Sequence, residues 1–249
     1  MEIYEVPIVI AVGFLAAFLN TVGGGGSLFS VPILTFLGLP ITSANATSRV
    51  AILFQNIFAA TGFRSKGVEL PLPYSIYLGL SAMIGGFIGS MLASRIQDEV
   101  FNKIFVGVMF LSVILIIFDP FKGSRTSEVY TMKSQILGTF LFFFIGIYGG
   151  FVQAGVGFLV IAVLGLVNNM QLVKTNYVKV FSAIVYTVVS VIVFAYEGKI
   201  VWLTGFVLAI GHALGGWYAS RWSVDKGEKW IKRVMVVSII AMAIKLWFS

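Results

Sequence analysis

Two basic residues stand in matching polar patches inside a chain that is otherwise apolar enough for lipid. Arg49 closes Thr42-Ser43-Ala44-Asn45-Ala46-Thr47-Ser48-Arg49, and Lys179 closes Lys174-Thr175-Asn176-Tyr177-Val178-Lys179, 130 positions on (49 to 179). Each patch opens a helix. A cation at a helix N-terminus opposes the dipole, which favours anions there, so the pair reads as facing something negative. Free N–H groups at Ser27, Asn45, Phe158 and Asn176, together with the two cations, would make an anion site of the kind that helix ends provide. The competing reading is that both side chains snorkel to the interface. The residues that would line such a site are Asn20, Thr21, Gly24, Gly25, Gly26, Ser27, Asn45, Thr47, Ser48, Arg49 and Gln55 from the first half. Gln153, Gly155, Gly157, Asn176, Lys179 and Ser182 complete it from the second. Asn56 and Tyr186 are further polar residues within apolar runs.

Other chemistries find no footing. The ten acidic residues all lie at termini or in connections between apolar runs, which argues against a carboxylate proton relay and against a carboxylate metal site. With no cysteine, disulfides, thiolate metal sites and thiol catalysis are excluded. No nucleophile stands beside a base, no GxxxxGK[ST] phosphate loop is present, and no cofactor is implied. The lone histidine, His212, is either a proton-linked group or a satisfied packing residue between helices.

The elements that must position these residues are apolar runs interrupted by glycine. In 249 residues, 59% are hydrophobic and 11% charged, with a mean hydropathy of +0.99. That lies outside the globular range and describes a polytopic membrane protein, with the bilayer rather than nucleic acid as partner for its net charge of +7. The N-terminus has no basic n-region before its apolar run and reads as retained. Gly23–Gly26 breaks the first stretch, and Gly149–Asn169 repeats the plan. Glycine costs about 1 kcal/mol against alanine inside a helix, and backbone freed at membrane depth is tolerated only where protein or a water-filled cavity surrounds it. Paired breaks of this kind point to a transporter's binding site.

The order long, short, long, long, long recurs in the two halves. Gly85, Gly89 and Ala93-Ser94-Arg95 return as Gly211, Gly215 and Ala219-Ser220-Arg221, each 126 positions on (85 to 211, 89 to 215). An internal duplication follows, with the small-xxx-small rows as packing surfaces. The expected fold is all-α: two inverted repeats, each of four long transmembrane helices and one short Gly-led broken or re-entrant segment, with about eight long helices in total. Residues 1–118 form the first repeat, 119–133 a polar linker and 134–249 the second. Counting a short segment such as Ser27–Leu39 as a reversal divides the 17 basic residues 12 against 5 rather than 10 against 7, which favours the inverted arrangement by the positive-inside rule.

The Gly-rich GGGGSLFSVPIL after a first helix, the patch Ala44-Asn45-Ala46-Thr47-Ser48, the short Phe63–Gly67 segment, GxxxGxxxASR and a degenerate second copy resemble the sulfite exporter TauE/SafE family, also described as the toluene-sulfonate uptake permease family. The second copy departs most, with Thr175-Asn176-Tyr177 where an Ala-Thr-Ser-like patch would stand. The resemblance implies a multi-pass inner-membrane transporter, not an enzyme, that exports small sulfur-containing anions such as sulfite or organosulfonates, and it leaves room for a homodimer. The alternatives are a proton- or cation-coupled uptake permease for organic anions, or a membrane-embedded protein without transport activity.

Overall fold

A computed structural model of the chain describes residues 5–23, 27–117 and 127–247. Glycines 24–26 of the candidate site and residues 119–126 of the linker lie outside these described residues. Within them there are nine helices and no strand: α1 (Glu5–Val22), α2 (Ser27–Phe36), α3 (Ile41–Ser65), α4 (Tyr74–Arg95), α5 (Asp98–Ile117), α6 (Met132–Phe151), α7 (Val156–Asn168), α8 (Leu172–Tyr196) and α9 (Trp202–Trp247). Among the described residues α4, α6 and α8 are each long and apolar enough to cross a bilayer. At 1.5 Å per residue α2 (10 residues) and α7 (13 residues) reach only about 15 and 20 Å, short of the roughly 30 Å hydrocarbon layer.

The short helix α7 turns back rather than completing a span. At the break, Val156 lies beside Gly149 of α6. At the other end, Asn168 pairs with the segment just before α6: Val129 N–H donates to Asn168 O (2.8 Å) and Asn168 Nδ2 to Val129 O (2.9 Å). The Tyr74 hydroxyl donates to Asn168 Oδ1 at 3.0 Å. α2 lies back along α1 in the same sense. Ser30 of α2 and Gly13 of α1 both meet the His212 ring, and Val9, Val31 and Leu34 share one apolar cluster.

Small residues let the two halves interleave. α4 packs on α6 and α8, while α9 packs on α1 and α3. A Cβ on Gly85 would run into the Phe143 carbonyl oxygen and one on Gly89 into that of Ile147. On the other side Gly211 meets the Ile10 carbonyl and Gly215 that of Phe14. The rows at the 126 offset are therefore packing surfaces, as their spacing suggests.

Two corrections concern helix bounds. Asn45 and Asn176 are not at helix N-termini: α3 starts at Ile41 and α8 at Leu172, so each asparagine is the fifth residue of its helix and its N–H lies inside the hydrogen-bond ladder. Phe158 N–H is likewise committed, donating to Gly155 O at 3.0 Å. Residues 218–230, which read as a connection between the apolar runs Val201–Trp217 and Ile231–Phe248, are largely helical, and the interruption between the two runs is confined to Gly227. Its φ of 72° and ψ of −175° suit glycine.

Ion pairs stand at both ends of the bundle. Lys66, just past α3, reaches Asp225 at 2.6 Å, and Arg95, at the far end of α4, reaches Glu197 at 3.8 Å. Glu128 is held by Lys174 Nζ (2.6 Å), the Tyr130 hydroxyl (2.9 Å) and Gln171 N–H (3.4 Å). Burial pushes its carboxyl up, but these three donors together outweigh that and leave it below the ordinary glutamate value. A carboxyl depressed on folding contributes stability above the unfolded value, about 4.3, and loses it as pH falls through the folded one. Glu128→Gln should therefore lower the melting temperature at pH 7, and the gap from wild type should close as pH drops below about 4. Thermal unfolding in detergent across pH measures this, and a gap independent of pH would contradict it.

Candidate functional site

The site is built from two interrupted helices. α6 ends at Phe151, and the chain turns through Gln153 (φ 62°) and Gly155 (φ 75°) before α7 begins. Glycine takes the left-handed region freely; Gln153 does so at a cost of about 1–2 kcal/mol. A helix end leaves four carbonyls without intrahelical partners, and at membrane depth each must be satisfied by protein.

In α6 those four are Tyr148 to Phe151, and every one has a donor. Tyr148 O accepts from the N–H groups of Val152 and Gln153. Arg49 takes the rest, Nη1 donating to Gly149 O and Nη2 to Gly150 O (3.0 Å) and Phe151 O (3.2 Å). Asn45 Nδ2 also donates to Phe151 O at 3.1 Å, while its Oδ1 accepts from Arg49 Nη2 at 3.2 Å.

The end of α1 is capped in the same way by the other half. Leu19 O accepts from Gly23 N–H at 2.9 Å. Lys179 Nζ donates to Asn20 O and Thr21 O, both at 2.9 Å, and to Asn176 Oδ1 at 2.8 Å. Asn176 Nδ2 donates to Val22 O at 3.0 Å. Each cation, with the asparagine one turn before it, thus caps the broken helix of the opposite half. The negative partner expected for the cations is, in this conformation, the C-terminal end of a helix dipole.

Between the breaks lies one cavity, lined by Asn20, Gln55, Asn56, Gln153, Val156, Gly157, Val160, Lys179, Ala183 and Tyr186. Its volume is about 20 Å³, room for roughly one water. Its lining carries one cation and no carboxylate. Val22 and Phe158 share an apolar cluster beside it, so the ends of both hairpins converge on one place.

Of the residues singled out from the sequence, Asn20, Gln55, Gln153, Gly157 and Lys179 border this cavity. Thr21 stands behind it, its hydroxyl oxygen accepting from Gln55 Nε2 at 3.3 Å. Arg49, Asn45 and Asn176 serve the helix ends. Thr47 Oγ1 accepts from Val201 N–H (3.0 Å) and the Ser48 hydroxyl donates to Asn45 O (2.8 Å), both away from the cavity. Gly155 makes the left-handed turn, and Ser27 opens α2. Ser182 is buried off the lining, with no partner for its hydroxyl. Asn56 and Tyr186 are lining residues that the candidate set omits. Tyr186, noted as polar within an apolar run, carries a further signal: it follows Gln55 by the 131 positions that separate Asn45 from Asn176 (55 to 186, 45 to 176).

His212 is fully buried and engaged on both ring nitrogens. Gln55 gives its Nε2 to Thr21, so its Oε1 accepts from His212 Nδ1 at 3.0 Å, and the neutral ring's Nε2 accepts the Ser30 hydroxyl at 3.1 Å. The imidazole joins α1, α2, α3 and α9 as a packing residue with its polar groups satisfied.

Known proteins resemble this chain along nearly all of it. "Probable membrane transporter protein YfcA" of Escherichia coli (strain K12) is 25% identical over 241 residues, 96% of this chain and 88% of its own length. "Probable membrane transporter protein ORF9" of Sinorhizobium sp is 27% identical over 240 residues, 94% of this chain and 88% of its own. A "Probable membrane transporter protein" of Haemophilus influenzae is 25% identical over 244 residues, covering 97% and 94%. No solved structure matches the chain. These relatives are transporters rather than enzymes, and with the apolar helices they mark a multi-pass membrane protein. The family model described as "Sulfite exporter TauE/SafE" matches residues 9–246, and the chain belongs to that family.

Proposed function

We propose that the protein is a secondary transporter that exports a small sulfur-containing anion, sulfite or an organosulfonate, across the cytoplasmic membrane. The observation that carries this reading is the cavity between the helix breaks, whose lining offers the Lys179 ammonium and the amides of Asn20, Gln55, Asn56 and Gln153 but no carboxylate. An oxyanion needs such donors, and a buried Asp or Glu there would repel it. Transport proceeds by alternating access around this point, with residues 1–118 and 134–249 as inverted repeats joined by 119–133. The reciprocal caps support the repeat, since each cation and its asparagine hold the interrupted helix of the other half. At its present size the cavity admits little more than a water, so the lining separates to receive an anion.

Thermal unfolding of the purified protein with sulfite, sulfate, chloride and small alkyl- and arylsulfonates tests the reading. A ligand at 100 times its dissociation constant adds about 2.7 kcal/mol, and a sulfur oxyanion is expected to raise the melting temperature more than chloride does. Stabilisation by none of these anions contradicts the reading. Proton-coupled uptake is the second reading. It is favoured by the direct link from cavity-lining Gln55 to His212, and an imposed pH gradient that drives flux would select it.

A further inference from the structure

We propose that Lys179 is the switch by which the anion releases one of the two hairpins: an anion entering the cavity takes the ammonium away from the Asn20 and Thr21 carbonyls and uncaps α1. The inference rests on the anion-transport reading above and goes beyond it by naming the element that moves. Lysine has three N–H donors, and all three are in use, on Asn20 O, Thr21 O and Asn176 Oδ1. Lys179 also lines the cavity, and so does Asn20. An anion can therefore bind the ammonium only by displacing an existing acceptor. Asn176 sits on the same helix one turn away and travels with Lys179. The acceptors given up are the two carbonyls of α1, after which Asn176 alone ties that helix end through Val22 O.

The other break has no such exchange. Arg49 does not line the cavity, it is fully buried, and its planar fork holds three consecutive acceptors at the end of α6. A guanidinium fixed in one plane is the residue for a permanent clamp, whereas an ammonium is a compact charge on a freely rotating stem that can change acceptors. The caps are alike in outline and opposite in use: α6–α7 stays fixed while α1–α2 is freed by ligand.

The chain contains no cysteine, so single thiol reporters can be placed without background. Val22, at the end of α1, and Val152, at the end of α6, are both buried. In Val22→Cys, labelling by a methanethiosulfonate reagent in detergent should rise at least tenfold when saturating sodium methanesulfonate, an organosulfonate inert toward the reagent, is added. In Val152→Cys it should stay low with and without methanesulfonate. Lys179→Gln in the Val22→Cys background should label fast in both conditions. If that variant does not fold, Lys179→Arg keeps the charge but grips the carbonyls in a plane, and should raise the methanesulfonate concentration for half-maximal labelling at least tenfold. Methanesulfonate that raises the melting temperature but leaves Val22→Cys labelling unchanged, or that exposes Val152→Cys equally, overturns the switch and leaves anion binding intact. Methanesulfonate that changes neither melting temperature nor labelling overturns both.

Discussion

Arg49→Ala is expected to cost the fold several kcal/mol, far more than an ordinary surface substitution. The change strips donors from Gly149 O, Gly150 O and Phe151 O and leaves only Asn45 to serve one of them. Each buried acceptor without a partner costs about 1–3 kcal/mol, and the site is too enclosed for water to replace them all. The removed side chain also leaves a void under the Phe194 ring, which the guanidinium approaches at 5.6 Å. Folded yield and thermal unfolding in detergent measure the loss. Arg49→Lys should recover part of it, since an ammonium carries charge to the same carbonyls without the fork. A variant within about 0.5 kcal/mol of wild type that no longer binds sulfite would reverse the assignment and make Arg49 a substrate contact.

Gly89→Leu and Gly215→Leu should each be comparably severe, for a different reason. Backbone faces backbone at both positions, Gly89 against Ile147 O and Gly215 against Phe14 O, so a side chain cannot be absorbed by a rotamer change. The helices must separate, and overpacking of this kind costs about 1–3 kcal/mol or more. Gly107→Leu, where a Cβ meets nothing within 4 Å, is the matched control and should accumulate normally. Equal loss in all three variants would mean that leucine is harmful for reasons other than close approach.

These effects divide along what the sequence made visible. The small-residue rows were legible because spacing within one helix decides which residues share a face. The breaks were legible because glycine is costly in a helix. Arg49 and Lys179 were legible as a pair through their common offset, but not the groups they hold. Their partners lie 100 to 160 positions away in the chain, and a helix C-terminus carries its partial charge on carbonyls that leave no mark in residue type. That is why the two patches read as an anion site, while in this conformation Arg49 holds a helix end off the cavity lining and Lys179 holds one at the cavity wall. Asn45 and Asn176 read as helix ends, although α3 begins at Ile41 and α8 at Leu172, since polar residues in a first turn resemble a loop. The shortness of the interruption at Gly227 is not legible, because charge at a membrane surface looks the same in a loop and in a helix.

On the proposed function, an anion moves through this cavity driven by the membrane potential alone. An anion leaving a negative interior gains about 2.3 kcal/mol per charge per 100 mV, so no coupling ion is required. The direct measurement is flux of labelled sulfite in proteoliposomes under a potassium–valinomycin potential. Sulfite should move toward the positive side, reverse direction when the potential is reversed, and fall to the level of empty liposomes in Lys179→Gln. Flux that ignores the potential and follows an imposed pH gradient would contradict the account and assign the coupling to His212 or to a protonated form of the substrate.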